Sequence, residues 1–79
     1  MELKLKSRPL KLNDTLIQLG FDNDTRNKRK WYNGNVCLLE EEGNKDYRLK
    51  IFAPEHEEEK AVGIQRSLME AYSGLIVES

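Results

Sequence analysis

Apolar residues fall along the chain in short, phased groups, and the phase changes from segment to segment. Leu3 and Leu5 alternate with Glu2, Lys4 and Lys6, the period of a short strand, and Pro9 ends it or confines it to a sheet edge. Residues 12–20 change to helical spacing. Leu12, Leu16 and Leu19 share one face with Ile17 beside them, Asn13 or Asp14 offers an N-cap, and Gly20 is a stop. Residues 21–27, Phe-Asp-Asn-Asp-Thr-Arg-Asn, read as a loop, because Asn, Asp and Thr compete for their own backbone.

Asn33-Gly34 then predicts a tight hairpin of type I′ between strands at 29–32 and 35–41. Residues 42–45 form a second turn. Residues 47–53 alternate strictly, with Tyr47, Leu49, Ile51 and Ala53 on one face and Arg48, Lys50 and Phe52 on the other. Pro54 opens a long helix, and glutamates crowd its first turns, where the helix dipole favours negative charge. Ala61, Ile64, Leu68, Tyr72 and Leu75 form its apolar stripe. Gly63 inside the helix costs about 1 kcal/mol relative to Ala, which predicts close approach of a strand or partner. Leu75-Ile-Val77 is a candidate edge strand.

The order is (β)αβββα: an α+β domain spanning residues 1–79, with a three-stranded antiparallel meander, an extra N-terminal edge strand, one short helix and one long one. Over residues 12–76 this order resembles the layout of double-stranded-RNA-binding domains. In that family the start of the final helix is basic, whereas the matching positions here read Glu55-His-Glu-Glu-Glu59. The resemblance is therefore one of element order, and it implies no duplex-RNA contact of that kind.

Composition narrows the function. Of 79 residues 38% are hydrophobic and 34% charged, so the core is thin and the surface strongly ionic. One cysteine and one histidine exclude an internal disulfide and a four-ligand zinc site made of these residue types. Neither a signal-length apolar run nor a membrane-length one appears, and the chain reads as cytoplasmic. Cys37 sits mid-strand among Val36, Leu38 and Leu39 as a small core residue, and His56 lies in the acidic helix start, so they form no nucleophile–base pair. No Gly-rich phosphate loop or calcium-loop spacing is present, and no cofactor is expected.

Charge is distributed unevenly. Residues 1–30 carry eight Lys/Arg and four Asp/Glu (+4), while residues 31–79 carry five and ten (−5). Two surfaces follow. Glu40, Glu41, Glu42, Glu57, Glu58 and Glu59 are an acidic set suited to a basic groove on another protein if the two groups meet at one end of the sheet; one strand length separates them, and the alternative places them at opposite ends. Arg26, Lys28, Arg29, Lys30, Trp31 and Tyr32 combine cations with aromatics and suit phosphates and bases. The first expectation is a non-enzymatic module, a small regulator or inhibitor that binds a larger protein through its charged surface. The alternative is a nucleic-acid-binding accessory protein working through segment 26–32.

Overall fold

The computed structural model describes residues 1–77. Five strands form one antiparallel sheet: β1 (Glu2–Leu5), β2 (Asp22–Asn23), β3 (Lys30–Asn33), β4 (Val36–Glu42) and β5 (Tyr47–Phe52), in the spatial order β1-β5-β4-β3-β2. The expected meander is its centre. The N-terminal strand joins β5 with Leu3 opposite Leu49 and Leu5 opposite Tyr47. A further strand lies where the sequence predicts only loop: Asp22 and Asn23 pair with Tyr32 and Trp31. Two residues give no periodicity, so only tertiary pairing reveals it.

Alternation decides which face is buried. Leu3, Leu5, Trp31, Val36, Leu38, Tyr47, Leu49 and Ile51 point to one side. There they share a single core with Leu12 and Leu16 of α1 (Leu12–Gln18) and Ala61, Ile64 and Leu68 of α2 (Glu58–Ala71). The two helices are joined by the Tyr72 hydroxyl, which donates to Thr15 Oγ1 at 2.7 Å. Among the described residues no helix covers the opposite sheet face.

Local chemistry departs from expectation at four points. The hairpin loop is Gly34-Asn35, flanked by the pair Asn33–Val36, and only Gly34 has positive φ (+60°). That is the pattern of a type II′ turn, with Gly first, so the strand ends shift by one residue from their expected places. In α1, Asn13 and Asp14 lie inside the helix, Lys11 holds the cap position, and no side chain caps it. Its C-terminus closes as a Schellman motif: Gly20 (φ +91°) donates to Ile17 O and Phe21 to Leu16 O, with Phe21 and Leu16 buried together.

Pro54 precedes a 3₁₀ turn (Glu55–Glu57) before α2, so the α-helix itself begins at Glu58 and is shorter than the periodicity suggests. Finally, a Cβ on Gly63 would meet nothing within 4 Å, so no strand approaches it.

Both sheet edges are guarded. Beyond β1, Ile76 bridges to Leu5, and backbone bonds run from Lys6 to Leu75 and from Val77 to Lys4. The other edge, β2, is only two residues long and carries Asp22, which blunts strand-to-strand association.

Candidate anion-binding cleft

Among the described residues the buried charge is Glu40, 3% exposed on the core face of β4. The Glu40-Glu41-Glu42 run reads in sequence as solvated. Strand alternation instead turns its first member inward, in phase with Val36 and Leu38. Three donors meet the carboxylate. Trp31 Nε1 donates to Oε2 at 2.7 Å, while the Tyr47 hydroxyl and Arg8 Nε donate to Oε1 at 2.5 and 2.8 Å. Arg8 also donates to Asn13 Oδ1 at 2.6 Å, tying the loop after β1 to the first turn of α1.

Burial works to raise the Glu40 carboxyl above its usual range. The hydrogen bonds from Arg8, Tyr47 and Trp31 outweigh it, and the group is held below that range and ionised. Tyr47, buried and facing this carboxylate, is pushed up to about 12. Arg8 is raised in turn, chiefly by its hydrogen bond to Glu40. A buried carboxylate held by three donors from three segments is a clamp. Buried and ionised, it has no proton to give near neutrality.

Above this clamp lies a cleft of about 550 Å³ at the end of the sheet holding the β4–β5 turn. Three separate segments bring cations to it: Lys6 and Arg8 from the exit of β1, Lys28 and Arg29 from the β2–β3 loop, and Lys45 from the β4–β5 turn. Its acids are engaged. Glu40 is bonded to Arg8, Glu42 faces Arg29 at 3.3 Å, and Asp46 lies 3.7 Å from Arg48. Among the described residues Lys6, Lys28 and Lys45 have no carboxylate within 4 Å.

Of the two arrangements open to the acidic set, the structure has the separated one. Glu40 is interior. Glu41 is held low, first by Lys50, which bonds it at 2.9 Å, and it also pairs with Arg48 at 3.2 Å. Glu42 stands opposite Tyr47 at the beginning of β5, whereas Glu57, Glu58 and Glu59 follow its end, so the two groups occupy opposite ends of the sheet. Glu57 is half-buried beside the hairpin, where Asn35 Nδ2 reaches its Oε1 at 3.4 Å. Glu58 and Glu59 stay exposed.

The basic–aromatic segment is divided as well, by the same alternation. Trp31 is 2% exposed and bonded to Glu40, so it belongs to the core. Lys30 and Tyr32 point to the open sheet face. Lys28 and Arg29 enter the cleft, and Arg26 stays in an exposed loop. That loop is shaped by Asp24, whose carboxylate accepts the N–H groups of Arg26 and Asn27 at 2.7 and 3.0 Å and is lowered by them.

Lys6, Arg8 and Lys45 are not apparent from sequence, because no linear run connects them to segment 26–32. Cys37 is half-buried on the open face and not in the core, and His56 is exposed. Among the described residues no cluster of His, Cys, Asp and Glu is suited to a metal, and no helix is long and apolar enough to cross a membrane. No family model matches the chain, and neither a curated protein nor a solved structure shows significant similarity to it.

Proposed function

We propose that this chain is a non-enzymatic binding module that engages a polyanionic partner, a nucleic acid, through the basic cleft. The supporting observation is the convergence from three segments onto one concavity of Lys6, Lys28 and Lys45, which among the described residues have no carboxylate within 4 Å, beside Arg8 and Arg29, which are paired with Glu40 and Glu42. Such a cluster attracts phosphates by releasing their counterions, so affinity should fall steeply with salt. The Glu40 clamp fixes Arg8 from beneath without withdrawing it from the surface, since the Arg8 side chain stays 39% exposed. The test is binding to labelled nucleic acid across a salt series, with Lys6, Lys28 and Lys45 changed together to Gln. The slope of log affinity against log salt should flatten by up to about 0.7–0.9 for each phosphate no longer neutralised. An unchanged slope would place the phosphate-binding groups elsewhere.

A second reading rests on the other end of the molecule. Exposed Glu58 and Glu59 adjoin Val62, itself 37% exposed, and this acidic–apolar end suits a basic groove on a larger protein that the module would regulate or inhibit. Reversing Glu58 and Glu59 to Lys abolishes that association and leaves nucleic-acid binding in place.

A further inference from the structure

The open face of the sheet carries a pattern that the cleft does not use. β3 and β5 both read cation–apolar–aromatic: Lys30-Trp31-Tyr32 and Lys50-Ile51-Phe52. In each, the central residue is in the core and the flanking two point outward. Strand pairing aligns them. Tyr32 is opposite Cys37, and Cys37 is opposite Phe52, which makes one row across three strands. Lys30 is opposite Leu39, and Leu39 is opposite Lys50, which makes the next row. Two aromatic rings thus share a row on an uncovered sheet, Phe52 at 53% exposure and Tyr32 at 36%, over a floor of half-buried Cys37 and Leu39. Each ring has a lysine on its own strand two residues away, roughly 7 Å along the sheet. Single exposed apolar residues are ordinary, but two aromatics aligned by register and each accompanied by a cation are a surface.

Taking the nucleic-acid reading above as its premise, we infer that the open sheet face binds single-stranded nucleic acid, with bases stacked on Tyr32 and Phe52 and phosphates held by Lys30 and Lys50. The two rings sit two strand spacings apart, about 9–10 Å. Stacked bases lie only ~3.4 Å apart, so the platform fits bases splayed along an extended strand. A duplex hides its base faces within the stack, and only unpaired bases can lie flat on an aromatic side chain.

The charges agree. Lys4, Lys30, Arg48 and Lys50 point outward against Glu2, Asp22 and Glu41, and Glu41 is shared between Lys50 and Arg48. Asp24, at this edge, accepts the N–H groups of Arg26 and Asn27 and also lies beside Tyr32 and Lys30. Beyond Lys30, β3 leads back to Lys28 and Arg29, which line the basic cleft on the other face of the sheet together with Glu40 and Tyr47.

Fluorescence anisotropy with three labelled probes tests this: oligothymidylate, an abasic strand of the same length, and a duplex. The wild-type chain should bind oligothymidylate more tightly than either of the others. Tyr32→Ala and Phe52→Ala should each weaken oligothymidylate binding by ~5–150-fold, the range typical of removing a stacking partner, and leave the abasic strand unaffected. Phe52→Leu, which keeps the apolar stem and strand preference, should weaken it in the same direction, so the result does not depend on whether the alanine variants fold. Equal binding of oligothymidylate and abasic strand, unchanged by these substitutions, overturns stacking and leaves the polyanion reading standing. A duplex bound as tightly as the single strand likewise overturns it. If none of the three probes binds, both readings fall.

Discussion

Glu40→Gln removes one charge and almost no volume, so it isolates what the buried clamp contributes. Two placements of the new amide compete. With its oxygen at the Oε1 position, Tyr47 and Arg8 keep an acceptor, but the NH₂ group faces the Trp31 N–H at the 2.7 Å contact. That orphans a buried donor at ~1–3 kcal/mol. With its oxygen at Oε2, Trp31 is satisfied and the Tyr47 hydroxyl can turn to accept from the NH₂ group. Arg8 then loses its partner, but its side chain is 39% exposed and water can reach it.

The second placement is cheaper. Its cost is the weakening of charge-assisted bonds to neutral ones, ~1–3 kcal/mol in all. For a domain of this size that lowers Tm by about 5–20 °C. Urea denaturation at neutral pH, followed by Trp31 fluorescence, measures the difference. The loss should also depend on pH with a definite sign. Glu40 is held below its unfolded value of ~4.3, so its contribution is full above that pH and disappears as pH falls through the folded pKa. Wild type and Glu40→Gln should therefore converge in acid. A difference below ~0.5 kcal/mol at pH 7, or one unchanged down to pH 3, refutes the clamp.

Other outcomes follow from the same geometry. Gly34→Val forces a β-branched residue to positive φ and should lower Tm markedly, while the nearest obstacle in space, Lys60 Nζ at 3.2 Å, can swing aside; a Tm within a degree of wild type would contradict the turn. Leu68→Ala, at a fully buried position, should cost ~2–5 kcal/mol in urea, a large part of the ~4–12 kcal/mol a chain of this length commands. Gly63→Ala should stabilise by ~0.5–1 kcal/mol, since the added methyl meets nothing; a drop in stability would mean that a neighbour does approach that position.

Long, strictly phased segments were legible in the sequence. The 47–52 strand and the stripe Ala61, Ile64, Leu68 and Tyr72 appear where their periods place them, because core burial enforces those periods. What was not legible depends on long-range pairing. β2 exists only through its bonds to β3, and the one-residue shift of β3 and β4 is set by the hairpin's Gly34-Asn35 loop. The basic patch was half visible. A linear run shows Lys28 and Arg29, whereas Lys6, Arg8 and Lys45 join them only when β1 docks on β5 and the β4–β5 turn folds over. Glu40 was misplaced because a charge run looks solvated, and its partners Arg8, Trp31 and Tyr47 come from separate segments. Alternation in β4, continued through position 40, is the one signal that places it inside.

The most direct test of the binding surface is an amide NMR titration of the folded chain with single-stranded oligothymidylate at low salt. Shift changes should concentrate at Lys6, Arg8, Lys28, Arg29 and Lys45, extend to Lys30, Tyr32, Lys50 and Phe52, and fade as salt is raised. Changes confined to Glu55–Glu59 and the exposed face of α2, or no changes at all, would contradict the account.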